Sequence, residues 1–227
     1  VFVEPIEQLL YLASTQIDAS RAMQYEDSVI DSLASLAKKT GFVSQNFSEA
    51  TALALAPLEP FAAYVITQAI QRYGQNERSL FSFLNARGRN SLSEYEGKIY
   101  QLQCCYDYIY YNFYSYLKEA NADSMQWSSM QVAIERVEGQ LWETKTDLVD
   151  AIKLVKAIGL LNLFGNASFK MSREDTALYA KTALNIENPT GLLKKLEQFK
   201  IIRYASYKFR YILFDGTDIN IEDEIRK

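Results

Sequence analysis

Histidine is absent from this 227-residue sequence, and that absence removes a large share of enzyme chemistry. Ser-His-Asp and Cys-His nucleophile systems, His-ligated zinc and a histidine general base all need an imidazole. Cysteine is scarce: Cys104 and Cys105 are the two present, and they are adjacent. A disulfide between chain neighbours is strained, so the pair is expected to stay reduced in a cytoplasmic setting, and two adjacent thiols cannot build a structural zinc site. Nine Gly and four Pro are too few for a loop-rich all-β protein. The most apolar stretch, "AIGLLNLFG", is short and follows Lys153 and Lys156. It falls well below the ~18–20 apolar residues of a membrane-spanning helix, so no membrane partner is expected.

Nucleotide-binding turns are missing too. A single Gly-Lys pair occurs, Gly97-Lys98, with Leu92 where a P-loop needs its first glycine and Ile99 where it needs Ser or Thr. No Gly-rich dinucleotide turn appears. The isolated chain therefore reads as non-catalytic, with no cofactor of its own. It opens on Val1 with neither Met nor a basic segment before an apolar one, so no signal peptide is expected and the sequence reads as a piece of a longer protein, although a processed N-terminus would look the same.

Apolar residues make up 48% and charged residues 23%, enough for a substantial core and against bulk disorder. Helical periodicity dominates. Leu9, Leu10 and Ala13, then Ile30, Leu33, Leu36 and Ala37, recur at three- and four-residue steps, with a polar stretch between Asp18 and Ser28 that can divide two helices. Lys38 and Lys39 suit a helix C-terminus, and Gly41 the left-handed residue beyond it. Ser48 is placed to cap the next helix, and Pro60 to occupy the first turn of one running to about Tyr73. Gly74 ends that helix, and Asn76 and Glu77 suit the start of another.

Eight tyrosines fall between residues 95 and 116, where Leu102, Cys105, Ile109, Phe113 and Tyr116 form a core stripe. A base-stacking platform would need basic residues interleaved among them, and only Lys98 and Lys118 lie close, so packing is the expected role. Helices follow from Trp127 to Leu141 and from near Asp147. Ser172 with Asp175 marks a further N-terminus, and Asn188 with Pro189 another. The period then switches to two. "IIRY" and "KFRYILF" read as a hairpin, with Phe209, Tyr211 and Leu213 on one face and Lys208 and Arg210 on the other.

The expected fold class is mainly α: a helical, lid-like domain over residues 1–140, a winged-helix-like domain with a small β-hairpin over 141–215, and an acidic tail over 216–227. Three helices and a hairpin in this order are the winged-helix variant of the helix-turn-helix.

"LEPFAAYVITQAIQRYGQNERSLFSFL", then "LVKAIGLLNLFG" and "LLKKLEQFKIIRYASYKFRYILFDGTDINIE", resemble the region after the nucleotide-binding core in large bacterial AAA-like P-loop ATPases of phage-defence systems, the BREX type among them. The resemblance implies a helical lid and a winged helix partnered by a P-loop ATPase core, in the same chain or another subunit. ATP and Mg²⁺ would then belong to the parent protein. It also implies an accessory role, coupling nucleotide state to DNA or a protein partner. The same chain order is found in initiator-type AAA ATPases, whose winged helix contacts DNA, but that likeness is one of fold alone. A free-standing winged-helix regulator and a protein-interaction or oligomerisation module are the alternatives.

Charge points to the same end of the chain. Residues 192–214 carry six basic side chains against Glu197, a net +5, leaving −9 for the remainder. Lys194, Lys195, Arg203, Lys208 and Arg210 are the candidate DNA-binding residues, meeting phosphates without sequence preference. Only Gln198 on the presumed recognition helix offers an amide to a base, and the acidic tail would oppose a DNA backbone. Arg78, at a helix start, is a candidate arginine finger or sensor for a nucleotide held elsewhere; an ion pair to a nearby carboxylate is the competing role. Asp147 with Asp150, and the Asp223-Glu224 pair, are expected to be capping or solvated groups.

Overall fold

The computed structural model describes residues 5–17, 27–74, 77–86, 88–119 and 121–214. Asn76 and the acidic stretch from residue 215 on, with Asp223 and Glu224, lie outside them. Eleven α-helices, one 3₁₀ turn and one two-stranded sheet occur among the described residues. The chain is thus mainly helical, a multi-helix region followed by helices and a small hairpin.

Local chemistry sets the first elements. Helix α1 (Ile6–Gln16) buries Leu9, Leu10 and Ala13, and α2 (Asp27–Lys39) buries Ile30, Leu33 and Leu36. Gly41 follows with φ +70°, the left-handed geometry expected there, and the Phe42 and Val43 amides return to the Ala37 carbonyl. In α3 (Glu49–Ala54) the Ser48 hydroxyl accepts from the Thr51 amide at 3.0 Å. Pro60 opens α4 (Pro60–Tyr73), a helix buried through most of its length, and Gly74 ends it in extended geometry. There a Cβ would sit 2.7 Å from the Ser79 hydroxyl, so glycine serves a close approach and not a left-handed turn.

Helix α5 (Glu77–Asn85) buries Leu80, Phe83 and Leu84, and a 3₁₀ turn (Leu92–Glu94) leads to α6 (Leu102–Asn112). The tyrosine stripe does not run straight. The helix breaks at Phe113 and resumes as α7 (Tyr114–Lys118), which turns Leu117 inward and leaves Tyr111, Tyr114 and Tyr116 exposed. Tyr100, Tyr106 and Tyr108 are buried.

Helix α8 spans Ser124–Glu138, shorter than the expected reach to Leu141, whose side chain is exposed. Thr144 and Asp147 form a reciprocal capping box for α9 (Lys145–Phe164), so Asp147 caps as its position implied, while Asp150 pairs with Lys153 at 2.9 Å. This 20-residue helix is apolar on several faces because it packs against α8, α6, α4 and the hairpin. Helix α10 (Arg173–Thr182) is capped by Ser172 and α11 (Pro189–Gln198) by Asn188, both as the sequence predicts.

Strands β1 (Ile202–Ala205) and β2 (Arg210–Leu213) pair antiparallel, with Ile202 opposite Leu213 and Ala205 opposite Arg210. The second strand is shorter than "KFRYILF". Lys208 and Phe209 belong to the turn, where Phe209 takes φ +51°, a positive value that a strand residue cannot have. One apolar core runs from Leu9 to Tyr211, across the boundary expected at residue 140. Polar ties cross it as well: Lys39 with Asp175 at 2.6 Å, and the Gln101 amide to the Ala183 carbonyl at 2.7 Å.

Candidate nucleic-acid interface

Helix α11 is amphipathic. Leu192, Leu193 and Leu196 face the core, while Thr190, Lys194 and Gln198, at four-residue steps, face solvent. Pro189 at its first position and the Asn188 side chain on the Gly191 amide at 3.0 Å hold its N-terminus. At its C-terminal end Lys200 turns the chain with φ +53° and hands it to β1. The hairpin therefore starts directly beside the exposed end of α11.

The five basic residues read from the sequence do not form one patch. Lys194 is exposed and has no acidic partner among the described residues. Lys195 leans the other way: its ammonium lies 3.2 Å from Glu143 and 5.2 Å from the Trp142 ring centre, so much of its charge is used locally. Arg203 is half-buried on the hairpin, on the face shared with Ile212. Lys208 is exposed in the turn with its ammonium over the Tyr207 ring. Arg210 folds back, donating to the Phe169 carbonyl at 3.1 Å and lying over the Phe169 ring. Burial holds its guanidinium below the usual arginine range. Two of the five, Lys194 and Lys208, are thus exposed without a carboxylate partner among the described residues.

A residue that charge counting passed over organises this end. Arg173 lies at the start of α10, with Nη1 2.9 Å from both Glu197 oxygens and 2.8 Å from the Tyr211 hydroxyl. Its guanidinium centre stacks 4.5 Å from the Tyr204 ring and 5.2 Å from Tyr211. One side chain thereby ties α10, α11 and both strands together. Burial pushes the Tyr211 hydroxyl up to about 12, so it remains neutral at physiological pH. The segment before α10 adds backbone support: the Met171 amide donates to the Phe209 carbonyl at 2.8 Å.

Arg78 is exposed near the start of α5, with no ion pair among the described residues. It lies on the rim of a groove of about 440 Å³ between α1 and α5, with Leu12, Phe81 and Leu84 in the wall.

The most perturbed carboxyl escaped the sequence reading altogether. Glu59 is fully buried at the N-terminus of α4, where it accepts from the Phe61 amide at 2.8 Å, the Ala62 amide at 3.1 Å and the Tyr179 hydroxyl at 2.9 Å. Burial pushes it up to about 8 against those three donors. An acidic residue immediately before a helix-opening proline was the available signal. No group of three His, Cys, Asp or Glu side chains that could hold a metal occurs among the described residues, and no described helix is long and apolar enough to cross a membrane. Compared with known proteins, the chain matches no family model, no curated protein and no solved structure.

Proposed function

We propose that this chain is a non-catalytic module that engages duplex DNA without sequence preference, using α11 as the groove-facing helix and the hairpin turn as a flanking phosphate contact. The observation that carries this reading is the solvent-facing row Thr190, Lys194 and Gln198, on a helix whose other face is locked to the core by three leucines. Helix α9, the segment 169–171, α10, α11 and the β1–β2 hairpin follow in winged-helix order, and the Met171–Phe209 bond gives the hairpin a third backbone partner. Lys208 supplies a second exposed cation beyond the helix. The sparse set of base-reading side chains favours backbone contact over sequence readout.

The wider role is accessory to a bacterial P-loop ATPase. The likeness of residues 58–84 and of the C-terminal third to such proteins supports it, and the exposed guanidinium of Arg78 is a group that a neighbouring nucleotide-binding domain could use. On this reading ATP and Mg²⁺ bind the partner core, and this chain passes the resulting movement to DNA.

Fluorescence anisotropy with a labelled 20-base-pair duplex tests the DNA reading. Binding should be measurable at low ionic strength and weaken steeply with salt, each phosphate contact contributing a slope of about −0.9 in log K against log [salt]. Absence of salt-dependent binding would sink it. Arg78→Ala assayed with the ATPase core tests the wider role, which fails if turnover and assembly are unchanged.

A further inference from the structure

Lys194 and Lys208, the two exposed cations assigned to phosphates, sit on different elements, one on α11 and one in the turn of the hairpin. Two such contacts act together at full strength only when their spacing is set beforehand, since ordering them during binding costs affinity. The hairpin does not supply that order by itself. Its strands are four residues each, too short to be rigid alone, and the turn from Ser206 to Phe209 is exposed at every residue. Ile202, Ala205 and Tyr211 anchor the strands in the core, but the turn lies beyond them.

Arg173 bridges the gap. From the first position of α10 its Nη1 reaches both carboxylate oxygens of Glu197 at 2.9 Å, and Glu197 follows Lys194 by three residues, a surface neighbour on α11. The same nitrogen donates to the Tyr211 hydroxyl at 2.8 Å, and the guanidinium lies over the Tyr204 and Tyr211 rings. Those two tyrosines are a cross-strand pair, and the next pair, Ala205 with Arg210, closes on the turn that carries Lys208. One planar group therefore connects the turn of α11 that holds Lys194 with the end of the hairpin that holds Lys208. The Arg173 side chain is 49% exposed, so its ion pair is partly screened and its loss should leave the chain folded.

We propose that Arg173 is a positioning residue for DNA engagement: it fixes the hairpin turn against α11, so that Lys194 and Lys208 meet the duplex backbone together. The inference rests on the DNA reading above and adds the group that sets its geometry. A planar fork holds a carboxylate and a hydroxyl at its edge while lying over two rings. An ammonium keeps the charge and loses the plane.

Arg173→Lys separates geometry from charge, because the net charge of the chain is unchanged. Anisotropy with the labelled duplex should give a salt slope smaller in magnitude by about 0.9 than that of the unmodified chain, the loss of one phosphate contact. Lys208→Ala should give the same loss. The two changes together should lose no more than either alone, since both remove the Lys208 contact. Circular dichroism checks the fold of each variant. Tyr204→Leu, which removes one stacked ring and no charge, is the second route to the same loss should Arg173→Lys not fold. A slope that the folded variants leave unchanged, or losses that add in the double variant, would overturn the proposal and leave the DNA reading standing. Absence of salt-dependent binding by the unmodified chain would overturn both.

Discussion

The Tyr179 hydroxyl donates to the Glu59 carboxyl at 2.9 Å, with neither side chain reaching solvent. The contact joins the N-terminus of α4 to the middle of α10, two elements separated by more than a hundred residues. Around it lie the Phe61 and Ala62 amides and the Cys105 thiol. Burial raises the tyrosine and cysteine well above their ordinary ranges, so both stay neutral where Glu59 titrates.

Stability should therefore fall as pH rises. Glu59 has an unfolded value near 4.5 and a folded value of about 8, so the native state holds a proton that the unfolded chain releases. Its contribution is full below about 4.5 and lost progressively up to about 8, on the order of 5 kcal/mol in the limit. Urea denaturation at pH 5, 6.5 and 8 checks this. Glu59→Gln should flatten the trend over that window, at a cost of about 1 kcal/mol at pH 5 for the backbone amide left without an acceptor. An unchanged slope in the variant would show that another group is responsible.

Lys194 and Lys195 are neighbours in sequence with different expected effects. Lys194→Ala should lower the salt slope of DNA binding by ~1, the loss of one phosphate contact. Lys195→Ala should change it much less, because Glu143 and Trp142 already hold that ammonium. Equal effects from the two would argue that α11 is not the contacting helix.

Arg173→Ala removes the stacking on two tyrosines and the bonds to Glu197 and Tyr211. The site is partly open to solvent, which limits its worth to about 1–2 kcal/mol. Thermal denaturation should show a drop of ~2–8 °C for a chain of this size. Arg173→Lys should recover little of it, since an ammonium cannot lie flat on both rings.

Gly41→Ala should cost about 1–2 kcal/mol, from the left-handed backbone at φ +70° and from a Cβ placed 3.1 Å from the Ser168 carbonyl. Gly88→Ala is a suitable control, with nothing closer than 4.0 Å to the added carbon. Chemical denaturation of the two variants separates backbone strain from a general intolerance of added carbon.

Local signals were legible wherever one residue and its near neighbours decide the outcome. Ser48, Pro60, Asp147, Ser172 and Asn188 open helices for reasons contained within four residues of chain. The site was less legible because side-chain direction depends on distant partners. Arg210 reads as a free cation until Phe169 takes it, and Lys195 until Glu143 does. Phe209 reads as a strand residue in an alternating run, but the bond from Met171 fixes its carbonyl in a left-handed turn. Glu59 follows the same rule in reverse, an ordinary surface residue by type that the packing of α10 over α4 seals from water.

The core that runs unbroken from Leu9 to Tyr211 also governs how the molecule answers a load. The hairpin grips α9, α9 grips α4 and α6, and no thin neck occurs between them among the described residues. A change of side-chain volume on one side of this core is therefore expected to strain elements on the other, because a close-packed interior has little free space to absorb it.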